Sequence, residues 1–251
     1  MKFLISPIVL AVLTSPGMLL AQREVTLISP GSLEPEMGKL IPKIESKMGV
    51  KVNLAIASGG VNKQKVISGT PFDVVILQPP YPEVLASGNI VAASAIPIAS
   101  VTLGLAVRKG APKPDISTSE AVKRTLLAAK SIAYPEEAGA ASAAAFKRMI
   151  EKLGIADQLQ PKLKPVPNVG GAMELVAKGE ADMGLTFMSG MDQPGIDVVG
   201  AFPKDSSPPT LFVAFVGTHA KDAAVAKSIV DYLASPEALA VYKLRRMEAG
   251  R

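Results

Sequence analysis

Apolar and polar positions along this chain switch repeatedly between two periods. Short runs that are apolar throughout or alternate every second residue read as strands. They give way to stretches with apolar residues at i, i+3, i+4 and i+7, which read as helices. Glu24–Ile28 is the first expected strand, followed by a helix over Leu33–Met48 with Leu40, Ile41, Ile44 and Met48 on one face. Gly49 stops that helix, and Pro42 inside it is expected to kink it. Val50–Ile56 alternates as a strand, Val61–Ser68 reads as a helix closing at Gly69, and Asp73–Leu77 is a buried strand ended by Pro79-Pro80.

The same alternation continues to the C-terminus. Strands are expected over Thr102–Val107, Ser131–Tyr134, Asp182–Phe187, Ile196–Phe202 and Leu211–Val216. Helices are expected from Ser119 to Ala129, from Ala172 to Lys178, from Ala220 to Leu233 and from Pro236 to about Met247. The strongest helical pattern opens at Gly139-Ala140-Ala141, places Phe146, Met149, Ile150 and Leu153 on one face, and stops at Gly154. Strand–turn–helix alternation of this kind predicts an α/β fold with mainly parallel sheets. No heptad, fixed-period repeat or low-complexity tract interrupts it.

One local motif recurs. Four times a strand gives way to a turn of small residues that opens a helix: Ser29–Ser32, Ser58–Gly60, Gly139–Ala141 and Asn168–Gly171. A helix N-terminus carries unpaired N–H groups and roughly half a positive charge, and small side chains let a ligand approach that backbone closely. In open α/β sheets such turns sit where ligands bind. A single one is ordinary loop chemistry; four together predict an anion-binding cleft.

Residues 1–21 have a different character. Lys2, the apolar run from Phe3 to Leu13 and the small residue Ala21 before Gln22 read as a secretory signal, with Pro7, Pro16 and Gly17 breaking any membrane span. Export to the periplasm is therefore expected, with a segment retained as a membrane anchor the alternative to a cleaved signal.

Composition narrows the chemistry. The chain has 251 residues, no Cys, no Trp and one His, which excludes disulfides, thiolate nucleophiles and Cys-based metal sites and leaves any triad dependent on His219. Aromatic residues make up 4%, and the net charge of +5 is scattered along the chain, so a nucleic-acid partner is not expected. No G-x-S-x-G elbow, G-x-x-x-x-G-K-[ST] or G-x-G-x-x-G is present. No metal or cofactor is expected, and no enzymatic role. A hydrolase using Ser32 or Ser58 is the weaker alternative, because only His219 could serve as its base.

The segments "LISPGSL", "GVKVNLAIASGG", "IAYPEEAGAAS", "PVPNVGGAMELVAKGEADMGL" and "FVAFVGTHA" occur in this order over nearly the whole chain beyond the signal. Together they resemble the periplasmic molybdate-binding proteins of ABC importers. The resemblance implies the two-lobed, type II solute-binding fold, with two crossover segments near Val101 and Thr210 and a central cleft. Residues 22–101 and 210–251 would form lobe I, and residues 102–209 lobe II. It further implies that Ser32 supplies a hydroxyl to the ligand, that Ala140 and Val169 supply backbone N–H groups, and that Gly59 and Phe187 stand where hydroxyl-bearing residues usually do. Ser58 is the candidate to replace the hydroxyl absent at Gly59. Losing two donors to a buried anion costs about 1.5–3 kcal/mol each. Gly59 adds room and Phe187 an apolar wall, so a small organic carboxylate becomes an alternative to a molybdate-like oxyanion. The expected partners are that ligand and an inner-membrane ABC permease. The protein is expected to be a monomer, and a sensory subunit for a membrane signalling protein is the alternative role.

Other chemistry-bearing residues receive plainer readings. His219 reads as solvated, Asp73 and Asp182 as strand-end acceptors of backbone hydrogen bonds, and Lys63, Lys65 and Arg108 as surface cations. Lys243, Arg245 and Arg246 read as a solvated basic face available to an acidic patch on a permease. Phe146 and the helix methionines read as core. Tyr81 and Tyr134 border cleft turns, with Tyr134 a candidate for the pocket wall.

Overall fold

The computed structural model describes residues 23–136 and 140–250. The expected signal segment 1–21 and Gly139 of the third turn lie outside them. Among the described residues, no helix is long and apolar enough to cross a membrane.

The chain begins with β1 (Arg23–Pro30), a 3-10 turn (Gly31–Leu33), α1 (Glu34–Met48), β2 (Val50–Ala57), α2 (Gly59–Ile67), β3 (Val74–Leu77), α3 (Pro82–Ala86) and β4 (Ile96–Val101). It continues through β5 (Leu103–Arg108), α4 (Ser119–Ala128), β6 (Ile132–Pro135), α5 (Ala141–Lys152), α6 (Ala156–Leu159), β7 (Leu163–Val166), α7 (Val169–Lys178), β8 (Met183–Phe187) and β9 (Ile196–Ala201). It closes with β10 (Thr210–Val216), α8 (Ala223–Leu233) and α9 (Pro236–Lys243). Two five-stranded sheets result, ordered β2-β1-β3-β10-β4 and β7-β6-β8-β5-β9. The chain passes from the first sheet to the second between β4 and β5 and returns between β9 and β10, giving two lobes.

The sheets are mixed, which corrects the expectation of mainly parallel pairing. β1 pairs in parallel with β2 and β3, and β6 with β7 and β8, whereas β10 and β5 run antiparallel to both of their neighbours. The reason is topological. β10 and β5 are the strands by which the chain enters a lobe from the side facing the other lobe, so they run away from that side while the remaining strands run toward it.

Local sequence explains most boundaries. Gly49 and Gly179 end α1 and α7 in the left-handed conformation, at φ 63° and 78°, as a C-terminal glycine does. α1 continues unbroken through Pro42, because Pro42 is exposed and the carbonyl of Gly38 that loses its partner is on the solvent side. β4 carries Pro97 in a mixed pattern, and α3 and α6 span little more than one turn, so none of the three was legible as an element. α9 ends at Lys243 rather than Met247, and the chain then turns at Arg246 with φ 57°.

Leu27, Leu40, Ile44, Ile76, Phe212 and Tyr242 of the first lobe and Leu103, Leu105, Phe146 and Leu185 of the second are buried in one continuous apolar cluster. Gly184 lets α7 lie directly on β8, since a Cβ there would come within 2.7 Å of Met173 and 2.8 Å of Val176. Asp73 is buried and accepts from the backbone N–H of Thr26 and of Lys221, both at 2.7 Å, as its sequence position suggests.

The C-terminal helix is anchored by charge. Glu237, in the first turn of α9, accepts from Lys43 at 3.2 Å and Lys47 at 2.7 Å on α1. The two ammonium groups hold its carboxyl at about 2. A pKa depressed in the folded state stabilises above the ordinary carboxylate value, and the benefit is lost as pH falls toward 2. Glu237→Gln should therefore lower the thermal midpoint at pH 7, and the gap to the parent should close between pH 4.5 and pH 2. A pH series of circular-dichroism melts measures it.

Candidate functional site

Strand ends and helix starts meet in one place. A cavity of about 600 Å³ opens between the lobes, walled by the carboxyl ends of six parallel strands. From the first lobe come Pro30 and Ser32 after β1, Ala57 to Gly59 after β2, and Gln78 after β3. From the second come Pro135 and Ala140 around β6, Pro167 to Gly170 after β7, and Thr186 and Phe187 at the end of β8. All six residues singled out in the sequence, Ser32, Ser58, Gly59, Ala140, Val169 and Phe187, lie on this one wall.

Three helix N-termini point into it. α2 is capped by Ser58, whose Oγ accepts from Val61 N–H at 3.4 Å; the hydroxyl keeps its own proton for a ligand. α7 is capped by Asn168, which accepts from Gly171 N–H at 2.8 Å. α5 starts at Ala140 with no side-chain cap, so its first N–H groups face the cavity without a competing acceptor from Ala140. Gln78 is buried on the same wall with its Oε1 unpartnered, a cost of about 1–3 kcal/mol until a water or ligand supplies a donor.

Arg245 was read as part of a solvated basic face; the structure places it on the cavity wall instead. Its Nη1 lies 3.3 Å from Glu36 Oε1 on α1, and its Nη2 donates to the carbonyl of Ser189, in the turn after β8. Arg245 thus touches both lobes. Burial raises the carboxyl pKa of Glu36, and the Arg245 guanidinium partly offsets that. Arg246 pairs with Asp192 at 2.8 Å, a second tie from the C-terminal segment to the other lobe. A signal for Arg245 existed: with Ala238, Val241 and Tyr242 it completes an i, i+3, i+4, i+7 set whose other members are buried.

Tyr134 is not on the cleft wall. It is buried and tilted against Phe146, its hydroxyl donates to Glu136 at 2.9 Å, and it lines a separate cavity of about 230 Å³; burial pushes its pKa up to about 12. Tyr81 is likewise turned inward, edge-on to Phe215. Lys63 donates to the Pro80 carbonyl at 2.8 Å, and His219 is exposed.

Two α/β lobes closed over a cleft lined by backbone amides define a two-lobed ligand-binding protein of the type II arrangement. The chain belongs to the bacterial extracellular solute-binding protein family, which it matches over residues 25–244. It is 32% identical over 237 residues to the aconitate isomerase of Pseudomonas sp, covering 90% of this chain and 88% of that protein. It is 28% identical over 227 residues to the molybdate-binding protein ModA of Escherichia coli K12, covering 88% of this chain and 87% of that protein. The structure of the periplasmic molybdate-binding protein of Azotobacter vinelandii superposes with a TM-score of 0.70 at 20% identity, covering 90% of this chain and all of that one.

The Asn168 cap fixes the start of α7. Asn168→Ala should cost about 1 kcal/mol of stability, read as a lower urea midpoint with an unchanged slope.

Proposed function

We propose that this protein is a periplasmic binding protein that holds a small organic carboxylate in the interlobe cleft and presents it, as a monomer, to an ABC permease. Ser32, Ser58, Gly59, Ala140, Val169 and Phe187 form the ligand-contacting wall in this reading. The observation that carries it is the size and lining of the cavity. At ~30 Å³ per water, 600 Å³ holds about twenty waters. A five-atom tetrahedral oxyanion leaves most of that space unfilled. Gly59 offers no side chain, and the buried Phe187 offers an apolar face where a hydroxyl would grip an oxyanion. Backbone N–H groups at α2, α5 and α7 suit a carboxylate as well as they suit molybdate. Lobe II is residues 102–209 in this reading, and closure turns about the segments near Val101 and Thr210.

One observation favours a second reading, an isomerase acting on an unsaturated carboxylic acid: the 32% identity to an aconitate isomerase over most of both chains. Such a reaction needs a proton acceptor in the cleft, and among the described residues Glu34 is the carboxylate on its wall.

A thermal-shift panel of molybdate, tungstate and small mono-, di- and tricarboxylates tests the first reading. At 100 times Kd a true ligand adds about 2.7 kcal/mol, or roughly 5–10 °C in Tm. Carboxylates are expected to shift the melt and molybdate to do so weakly or not at all; the reverse order overturns the reading. Incubation with cis- and trans-aconitate, followed by proton NMR, separates the two readings. Interconversion supports the isomerase, and binding without interconversion supports the receptor.

A further inference from the structure

We infer that Arg245 forms a second anionic subsite in the cleft, distinct from the helix N-termini, so that the preferred ligand carries at least two ionised carboxylates. This rests on the carboxylate reading above and specifies it.

A guanidinium has five N–H donors in a planar fork. In this structure Nη1 contacts Glu36 at 3.3 and 3.5 Å, and Nη2 donates to the Ser189 carbonyl. Among the described residues no other hydrogen bond or ion pair is made by the Arg245 side chain, which leaves the Nε–H and one N–H of Nη2 uncommitted. The side chain is 27% exposed and lines the cavity, whereas the Glu36 side chain it pairs with is 1% exposed. The guanidinium is thus held by one lobe through Glu36 and by the other through Ser189.

If Arg245 served only to neutralise Glu36, one terminal nitrogen would suffice. The interlobe bond and the free donors at the cavity would then have no role. A fork with parallel free donors matches a carboxylate in bidentate fashion, which a lysine or a single amide does not. The positive groups at α2, α5 and α7 come from other elements of the wall, so two kinds of attractor share one cavity of about 600 Å³. A ligand with one carboxylate satisfies one of them; a dicarboxylate or tricarboxylate satisfies both. Because Arg245 also touches Ser189, an acid that engages it is gripped where the two lobes meet.

The test is isothermal titration with two matched pairs: glutarate against its monomethyl ester, and propane-1,2,3-tricarboxylate against its dimethyl ester, so that each ester keeps a single carboxylate. The parent is expected to bind each acid at least tenfold more tightly than its ester. In Arg245→Gln that ratio should fall toward one. If Arg245→Gln fails to fold because Glu36 is left unpaired, the Arg245→Gln/Glu36→Gln double variant removes both charges and carries the same measurement. A ratio near one in the parent, or a tenfold ratio preserved in a folded Arg245 variant, overturns the subsite while leaving the carboxylate reading in place. Absence of binding by the acids and the esters alike overturns that reading and the subsite with it.

Discussion

Parallel strands cannot be joined by a tight hairpin; each must be followed by a crossover that returns the chain to the starting edge. Where the crossover is a helix, its N-terminus comes to lie beside the carboxyl end of the strand just left. This constraint makes the cleft. β2, β6 and β7 each hand over to a helix within a few residues, and the N-termini of α2, α5 and α7 consequently converge between the lobes. The positive character of the cavity wall is a by-product of connectivity before any cationic side chain contributes.

Arg245 then adds what the backbone cannot, a full charge with directional donors. Its placement depends on the chain beyond α9. Met247 is buried, and Glu248 and Ser100 exchange backbone hydrogen bonds of 3.0 and 2.9 Å beside the crossover from the first lobe to the second. Arg246, just before Met247, reaches Asp192 in the other lobe. With Glu237 fastening the start of α9 to α1, the last residues form a strap beside the crossover between the lobes. Contacts between the lobes therefore run in part through a few terminal residues.

Much of this was legible in the sequence. The turns at Ser58–Gly60 and Asn168–Gly171 announced themselves because a small residue or a cap directly follows a β-rich run, a local cue with a local cause. Gly49 and Gly154 marked helix ends for the same reason, and both adopt positive φ. What escaped depended on distant partners. β4 has no clean period, yet it forms a strand because β10 arrives beside it from more than a hundred residues away. The direction of β5 and β10 is set by where the chain enters each lobe, which no window of sequence records. Arg245 was misread because a charged residue at a helix end is ordinarily solvated. Its position in the turn just beyond α9, in register with the buried face of that helix, outweighed that prior, and Glu36 supplied the counter-charge from about two hundred residues earlier.

The position of β10 also constrains the order in which the molecule can be completed. β3 and β4 are neighbours in sequence but not in the sheet, because β10 is inserted between them. An emerging chain can assemble the whole second sheet from one continuous stretch, β5 through β9, while the first still lacks its fourth strand. The lobe begun first is thus the last to be finished, and until residue 210 is available β3 exposes an unpaired edge. Slow delivery of the C-terminal sixth of the polypeptide is the circumstance under which this fold is most open to aggregation.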